Sequence, residues 1–193
     1  MRLAVFGGSF DPPHVGHLLA AGDAADQLEL AKVIVVPAAA QPLKAGRASA
    51  TAEQRLAMVR LLVEGDPRFE VSDVEINRAG LSFTVDTLTH FAGLYSSDER
   101  FLLLGEDVLG TFDQWKEPSR VVSLARPVLL ERGDETASPL PAAMRGAEVL
   151  RLPTRRIDIS STEIRERVRG GRSIAGFVTD GVAAYIARAG LYR

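Results

Sequence analysis

Leu3-Ala4-Val5-Phe6-Gly7-Gly8-Ser9-Phe10-Asp11-Pro12-Pro13-His14-Val15-Gly16-His17 decides how this chain folds. Its first four residues are a short apolar run that stops at paired glycines, the pattern of a buried strand ending in a tight turn. Residues Val15 to Leu28 then read as a helix. Lys32-Val33-Ile34-Val35-Val36, closed by Pro37, is a second β-branched run. Strand, glycine loop, helix and strand in that order predict a parallel pair joined by a right-handed crossover.

The alternation continues outward from this unit. Thr51-Ala52-Glu53-Gln54 has capping-box spacing and leads into Leu56, Val59, Leu62 and Val63, an amphipathic helix. Residues Phe69 to Ile76 read as a strand, Thr84 to Leu94 as a helix, and Phe101-Leu102-Leu103-Leu104 and Val128-Leu129-Leu130 as buried strands. A shorter strand around Val149 to Leu152 precedes two helices, one starting near Ser160 and one from about Gly181 to Gly190. The Ala/Pro/Gly-rich stretches 37–50 and 133–147 read as long surface loops. The expected architecture is α/β and doubly wound, with a mainly parallel sheet and a small helical C-terminal piece. It is expected to be one domain over 1–193, with a core over 1–152 and the helical piece over 153–193.

Composition narrows the function. The chain has 193 residues, 46% of them hydrophobic and 25% charged, the profile of a globular domain with a proper core. Its near-balanced charge hides a split. Residues 1–150 carry 14 basic and 21 acidic groups, whereas residues 151–193 carry 9 basic and 4 acidic ones. A pI near 6.0 argues against a general nucleic-acid or membrane-surface binder, while a local basic segment suits a small anionic ligand. With no cysteine, disulfides, cysteine-ligated metal centres and cysteine nucleophiles are excluded. The longest uncharged apolar stretch, Val33 to Ala40, is too short to span a bilayer, and Met1-Arg2-Leu3 leads into a strand and not a signal sequence. The expected location is the cytoplasm. A homo-oligomer is left open.

Of the three histidines, two fall at positions 14 and 17. They follow the glycine loop at the start of a helix, where an open α/β sheet binds phosphate groups. Paired glycines let the backbone approach a ligand and present N–H groups. Neither a P-loop nor Gly-x-Gly-x-x-Gly is present. In their place stands His-x-Gly-His, whose two imidazoles share the first turn of the helix and can meet one anion at its positive end. Gly16 is expected to keep a side chain from crowding that ligand. An ordinary strand-to-helix turn explains a double glycine alone, but not two histidines beside it. Zinc binding by the pair lacks a third ligand nearby, and a metal-binding pair on a helix usually has spacing four. No metal-ligating protein residue is therefore assigned.

This stretch resembles the signature of the nucleotidylyltransferase superfamily, and within it most closely that of the bacterial nicotinate-nucleotide adenylyltransferases. The resemblance implies a Rossmann-like fold, with ATP and nicotinate mononucleotide as substrates, Mg2+ accompanying ATP, and release of pyrophosphate. It implies that His14 and His17 contact the ATP phosphates and that Gly7, Gly8, Ser9, Phe10 and Gly16 line the nucleotide.

Ile159-Ser160-Ser161-Thr162-Glu163-Ile164-Arg165 reads as a helix start with hydroxyl caps followed by a charge that can fork onto phosphate. Alone, Ser160 and Glu163 are a capping box, and Arg167 and Arg169 cover the helix surface. The stretch also resembles the family's second signature, which implies that Ile159, Ser160, Ser161 and Arg165 hold the outer phosphates.

Leu81-Ser82-Phe83-Thr84-Val85-Asp86-Thr87-Leu88 resembles the family's acceptor segment, in which a helix N-terminus meets the nicotinate carboxylate. Ser82 and Thr84 are expected to leave free amides there, with Phe83 in place of a tyrosine. Gly105 to Trp115 follows the fourth strand at its carboxyl end and resembles the family's ribose and ring segment. That implies Gly105 and Asp107 at the nucleotide, Trp115 stacked on the pyridine ring, and Arg132 facing phosphate or adenine, while Lys116, on the acceptor side after Trp115, stands where the family often has an aromatic. After the second strand Lys44 keeps a phosphate-facing role, while Leu43 departs from the family's histidine. The readings left against this one are a related nucleotidylyltransferase with a nicotinamide mononucleotide or phosphopantetheine acceptor, and a noncatalytic nucleotide- or RNA-binding relative.

Overall fold

Strands β1 (Arg2–Gly8), β2 (Lys32–Pro37), β3 (Phe69–Val71), β4 (Glu99–Gly105), β5 (Arg126–Arg132) and β6 (Leu150–Thr154) form one sheet in the order β3-β2-β1-β4-β5-β6. Every neighbouring pair is parallel. The computed structural model describes residues 1–40, 50–132 and 139–193, together with the backbone but not the side chain of Arg132. Leu43 and Lys44 lie outside the described residues.

Successive strand residues point to opposite faces, and here both faces are apolar. Ala4, Val33, Val35, Phe101, Leu103, Val128 and Leu130 enter one core, against α1 (Val15–Gln27), α2 (Ala52–Val63), α6 (Ser161–Arg169) and α7 (Asp180–Ala189). Leu3, Val5, Ile34, Val36, Leu102, Leu104 and Leu129 enter the other, against α4 (Thr84–Leu94) and α5 (Pro118–Leu124). The doubly wound layering follows from that alternation. Ile164, Val182 and Ile186 of the last two helices are buried in the same core as α1 and α2, so the helical piece completes one face of the sheet. Helix α2 starts as its sequence requires: Gln54 N–H donates to Thr51 Oγ1 at 3.2 Å, and Thr51 N–H to Gln54 Oε1 at 2.9 Å.

The chain leaves β1 for β2 and β3 on one side and returns to β4 on the other. The carboxyl ends of β1 and β4 therefore diverge into a crevice, the place where open α/β sheets hold ligands. Gly7-Gly8 and Gly105 stand at its two lips.

Three expectations need correction. The strand over Phe69 to Ile76 ends at Val71, and a short helix α3 (Val74–Arg78) replaces its second half. The apolar residues 69 and 71 keep a strand's spacing, but the step from 71 to 74 breaks it. Ser72 Oγ accepts from Val74 N–H at 3.3 Å, turning the chain out of the edge strand. Two other helical segments were not expected, α5, with Pro118 in its first turn, and a 3-10 helix over Glu106–Gln114. The described parts of the stretches 37–50 and 133–147 are not simply surface loops. Ala38, Ala50 and Met144 are buried, and the Asp113 carboxylate holds the turn at Ala142–Met144 by accepting from Ala142 and Ala143 N–H at 2.8 and 2.9 Å.

Leu129 is fully buried in the core beneath α4 and α5. Leu129→Ala is expected to cost about 2–5 kcal/mol through lost transfer energy and the cavity left behind, measured by urea unfolding.

Candidate active site

The crevice opens as a cleft of about 1030 Å3, at the upper end of small-molecule sites. Its floor is the loop after β1. A Cβ on Gly8 would lie 2.9 Å from the Phe10 ring, so this glycine is required by the close approach of Phe10, which is itself buried with a φ of 49°. The Phe10 ring stands edge-on to His17, with centroids 5.1 Å apart. His14 precedes α1 as its N-cap and is 3% exposed. Its backbone N–H donates to His17 Nδ1 at 3.2 Å, and the two rings lie 3.6 Å apart. With Nδ1 accepting, a neutral His17 carries its proton on Nε2.

Gly16 corrects one expectation. A Cβ there would fall 3.0 Å from His14 Nδ1 and 3.1 Å from its Cε1, so the space it leaves is filled by the His14 ring and not by the ligand. The helix start is also less open than expected, because Val15 N–H donates to Phe177 C=O at 3.0 Å.

The second stretch expected to hold phosphate reaches this floor from the far end of the chain. Ser161 Oγ donates to Pro12 C=O at 2.8 Å, and Arg165 Nη1 to Asp11 C=O at 2.6 Å. Arg165 Nη2 donates to Thr162 Oγ1 at 3.1 Å, so two of five guanidinium N–H groups are used and three remain for a ligand. Ser160 Oγ caps α6 by accepting from Glu163 N–H at 3.1 Å, which leaves its own O–H to donate. Ile159 and Ser160 line the cleft beside them. Arg167 turns away, with Nε on Ser173 C=O at 2.7 Å and its guanidinium 4.3 Å from the Phe177 ring centre.

On the opposite wall stand Thr84, Phe83, Trp115 and Lys116. Ser82 does not offer the free amide expected of it. Its N–H donates to Ala40 C=O at 2.8 Å and its Oγ accepts from Ala39 N–H at 2.8 Å, which pins the loop after β2 to the start of α4. Thr84 is the first residue of α4, so its amide has no acceptor within that helix. Trp115 packs on Phe112 with ring centroids 4.9 Å apart. Lys116 Nζ pairs with the Asp86 carboxylate at 3.1 Å and lies 4.9 Å from the Phe83 ring centre. At the lip of β4, a Cβ on Gly105 would sit 2.5 Å from Asp107 Oδ1, so the carboxylate folds back over the glycine.

Two cleft residues escape sequence reading. Arg55, 3% exposed, donates from Nη1 to Ser9 C=O at 2.7 Å and from Nη2 to Ala39 C=O at 2.9 Å, tying the loops after β1 and β2 together. Burial pushes its pKa down, and the Asp11 carboxylate opposes that. Its signal was a lone charge in register with Val59 and Leu62 on the apolar face of α2. Glu75, 7% exposed, accepts from Thr87 Oγ1 at 2.6 Å and joins α3 to α4. Its position was hidden by the strand expected there.

Among the described residues no three His, Asp or Glu side chains are grouped so as to hold a metal ion, and no helix is long and apolar enough to cross a membrane. The phosphates of a nucleotide carry the oxygen ligands that a hard divalent cation prefers.

Comparison with known proteins gives a consistent answer. The model of the cytidylyltransferase-like family matches residues 5–167. A protein of Gemmatimonas aurantiaca named "Probable nicotinate-nucleotide adenylyltransferase" is 50% identical over 200 residues, covering 100% of this chain and 93% of its own. A protein of Thermus thermophilus with the same name is 44% identical, with 100% of both chains covered. Among solved structures, nicotinic acid mononucleotide adenylyltransferase of Plasmodium falciparum complexed with NaAD superposes with a TM-score of 0.79 at 18% identity, covering 99% of this chain and 97% of its own. At that identity the likeness is one of fold.

Gly16→Ala separates the histidine geometry from helix stability. Alanine favours a helix by up to about 1 kcal/mol over glycine, yet its methyl must displace the His14 ring. The expected outcome is little change in thermal unfolding midpoint and turnover lowered at least about tenfold, read from melting curves and initial rates.

Proposed function

The chain belongs to the cytidylyltransferase-like family, and from that premise we propose that its cleft transfers AMP from ATP to nicotinate mononucleotide, forming nicotinic acid adenine dinucleotide and pyrophosphate. The observation that carries this reading is the meeting of two phosphate elements, residues 7–17 and 159–165, across one cleft from the start of α4 and Trp115. The relatives of Gemmatimonas and Thermus, matched along their length, support the same acceptor.

In the reaction a phosphate oxygen of nicotinate mononucleotide attacks the α-phosphorus of ATP. The new bond is P–O–P between the two nucleotides, and the bond that breaks joins the α-phosphorus to the bridging oxygen of pyrophosphate, which keeps the electron pair. The attacking phosphate is already anionic near neutral pH, so no general base is needed. What the protein must supply is alignment and neutralisation of the charge that grows on the leaving group. His17 donates from Nε2–H toward that charge, with His14 stacked behind it and Arg165 adding the N–H groups that its ties to Asp11 and Thr162 leave over. Lys44, outside the described residues, is proposed to add a further cation. Mg2+ is proposed to enter as part of the Mg–ATP substrate.

Gly7, Gly8, Ser9, Phe10 and Gly16 shape the surface under the nucleotide, and Ile159, Ser160 and Ser161 face its outer phosphates. Gly105 and Asp107 take the ribose, whose hydroxyls donate to the carboxylate. Arg132 follows from its family position alone. On the acceptor side, the Thr84 amide meets the nicotinate carboxylate at the positive end of α4, and Trp115 stacks on the pyridine ring. Phe83 and Lys116 form the adjoining wall. Ser82 acts there indirectly, by holding the loop after β2 through Ala39 and Ala40. Free ATP and pyridine nucleotides are the substrates, which fits a cytoplasmic enzyme.

Pyrophosphate release from Mg–ATP, measured with a panel of acceptors, tests the reading. Nicotinate mononucleotide is expected to be used with kcat/KM about 10- to 100-fold above the nicotinamide nucleotide, the worth of one charge-assisted hydrogen bond. Turnover of a phosphopantetheine acceptor in its place overturns the assignment. His17→Ala is expected to lower kcat about 100- to 1000-fold, as loss of one donor to a developing oxyanion does. Near-wild-type turnover removes His17 from the mechanism.

A further inference from the structure

Tyr192 follows the left-handed Gly190 that ends α7, and no role in substrate binding reaches it. It is 7% exposed and its own φ is 64°, an unfavourable conformation for a side-chain-bearing residue. Its hydroxyl donates to Asp11 Oδ1 at 2.8 Å, an oxygen that also accepts from Ala50 N–H at 3.1 Å. Burial, followed by the hydrogen bond to Asp11, pushes the phenol above the ordinary tyrosine range, so the oxygen keeps its proton and remains a donor.

Asp11 lies three residues before His14, and the two residues between them are Pro12 and Pro13. Each proline ring fixes its own φ, so this connection has few soft torsions through which a shift of Asp11 could be absorbed. Beyond Asp11 the loop is held at three further points by residues 161–177: Arg165 on Asp11 C=O, Ser161 on Pro12 C=O, and the Phe177 carbonyl on Val15 N–H. Tyr192 grips the Asp11 side chain, at the oxygen that Ala50 N–H also reaches. Asp11 is therefore held at its side chain as well as at its carbonyl, three residues before the His14 ring that stacks on His17.

We infer that Tyr192 is a positioning residue for the histidine pair, acting through the Asp11 carboxylate. It does not line the cleft. Its effect is to hold both imidazoles in the arrangement from which His17 meets the leaving phosphate, so the inference rests on the proposed adenylyl transfer for its catalytic consequence but not for its structural one.

Tyr192→Phe deletes the hydroxyl and keeps the ring in its packing. With only three histidines in the chain, the imidazole 1H–15N spectrum of the ligand-free protein reads the effect directly. The His14 and His17 resonances are expected to move while that of His90, in α4, stays. Asp11→Asn, which weakens the same bond by removing its charge, is expected to move the same two. In steady-state assays Tyr192→Phe is expected to lower kcat about fivefold, the worth of one hydrogen bond, with the KM for nicotinate mononucleotide unchanged. His14 and His17 resonances that do not move, or an altered KM with kcat intact, overturn the inference. The spectra decide it even for a chain inactive toward nicotinate mononucleotide, so its failure and failure of the proposed function are told apart.

Discussion

Everything in this cleft depends on two backbone carbonyls, those of Asp11 and Pro12, being gripped by a helix about 150 residues away in sequence. The loop after β1 contains a left-handed Phe10 and two prolines, a combination with no repeating hydrogen-bond pattern of its own. Its carbonyls need outside donors, and Arg165 and Ser161 provide them at 2.6 and 2.8 Å. The same α6 has Ile164 fully buried in the core with α1 and α2. Hydrophobic burial therefore anchors the helix, and the anchored helix orders the loop. The loop after β1 and the start of α6 are close because the helix supplies donors that the loop's carbonyls lack.

Arg55 extends this logic to charge. A buried guanidinium is costly unless it is both hydrogen-bonded and balanced. Here it is bonded to the carbonyls of Ser9 and Ala39, and Asp11 supplies the balancing charge. The arrangement joins the ends of β1 and β2, while Ser82 joins the loop after β2 to α4. Consecutive walls of the cleft are thereby linked by polar contacts buried at their base. A site that must align two nucleotides for in-line attack gains from walls that do not drift separately.

What could be read from sequence were the features whose physics is local. The Thr51–Gln54 box needs only residues three apart, and the strands of the sheet show as apolar runs because both their faces are covered. The contiguous Gly7–His17 stretch also announces itself, since loop, helix start and imidazoles are neighbours in the chain. Ser82 could not be read correctly because its partners, Ala39 and Ala40, are more than forty residues away. Arg55 and Glu75 were missed for a related reason. A charged residue on a helix is assumed to face water until tertiary packing buries it. The false strand over Phe69 to Ile76 shows the opposite failure, an apparent alternation carried across the Ser72 turn that breaks it.

The basic segment over 151–193 shows why net charge is a weak guide to a binding face. Most of its arginines are engaged locally. Arg151 pairs with Glu131 at 2.6 Å, Arg155 with Asp23 and Arg156 with Asp158 at 3.3 Å, and Arg188 lies over the Tyr185 ring at 5.6 Å. Arg167 is spent on Ser173 and Phe177. Exposed pairs of this kind add little stability each, but they remove their charges from the field felt by a ligand. Of the nine arginines in this segment, only Arg165 lines the cleft among the described residues. Beside the two stacked imidazoles, the cleft draws one forked cation from this segment and not a diffuse positive surface. Such a site selects by geometry, which is what discrimination between an attacking phosphate and a leaving pyrophosphate requires.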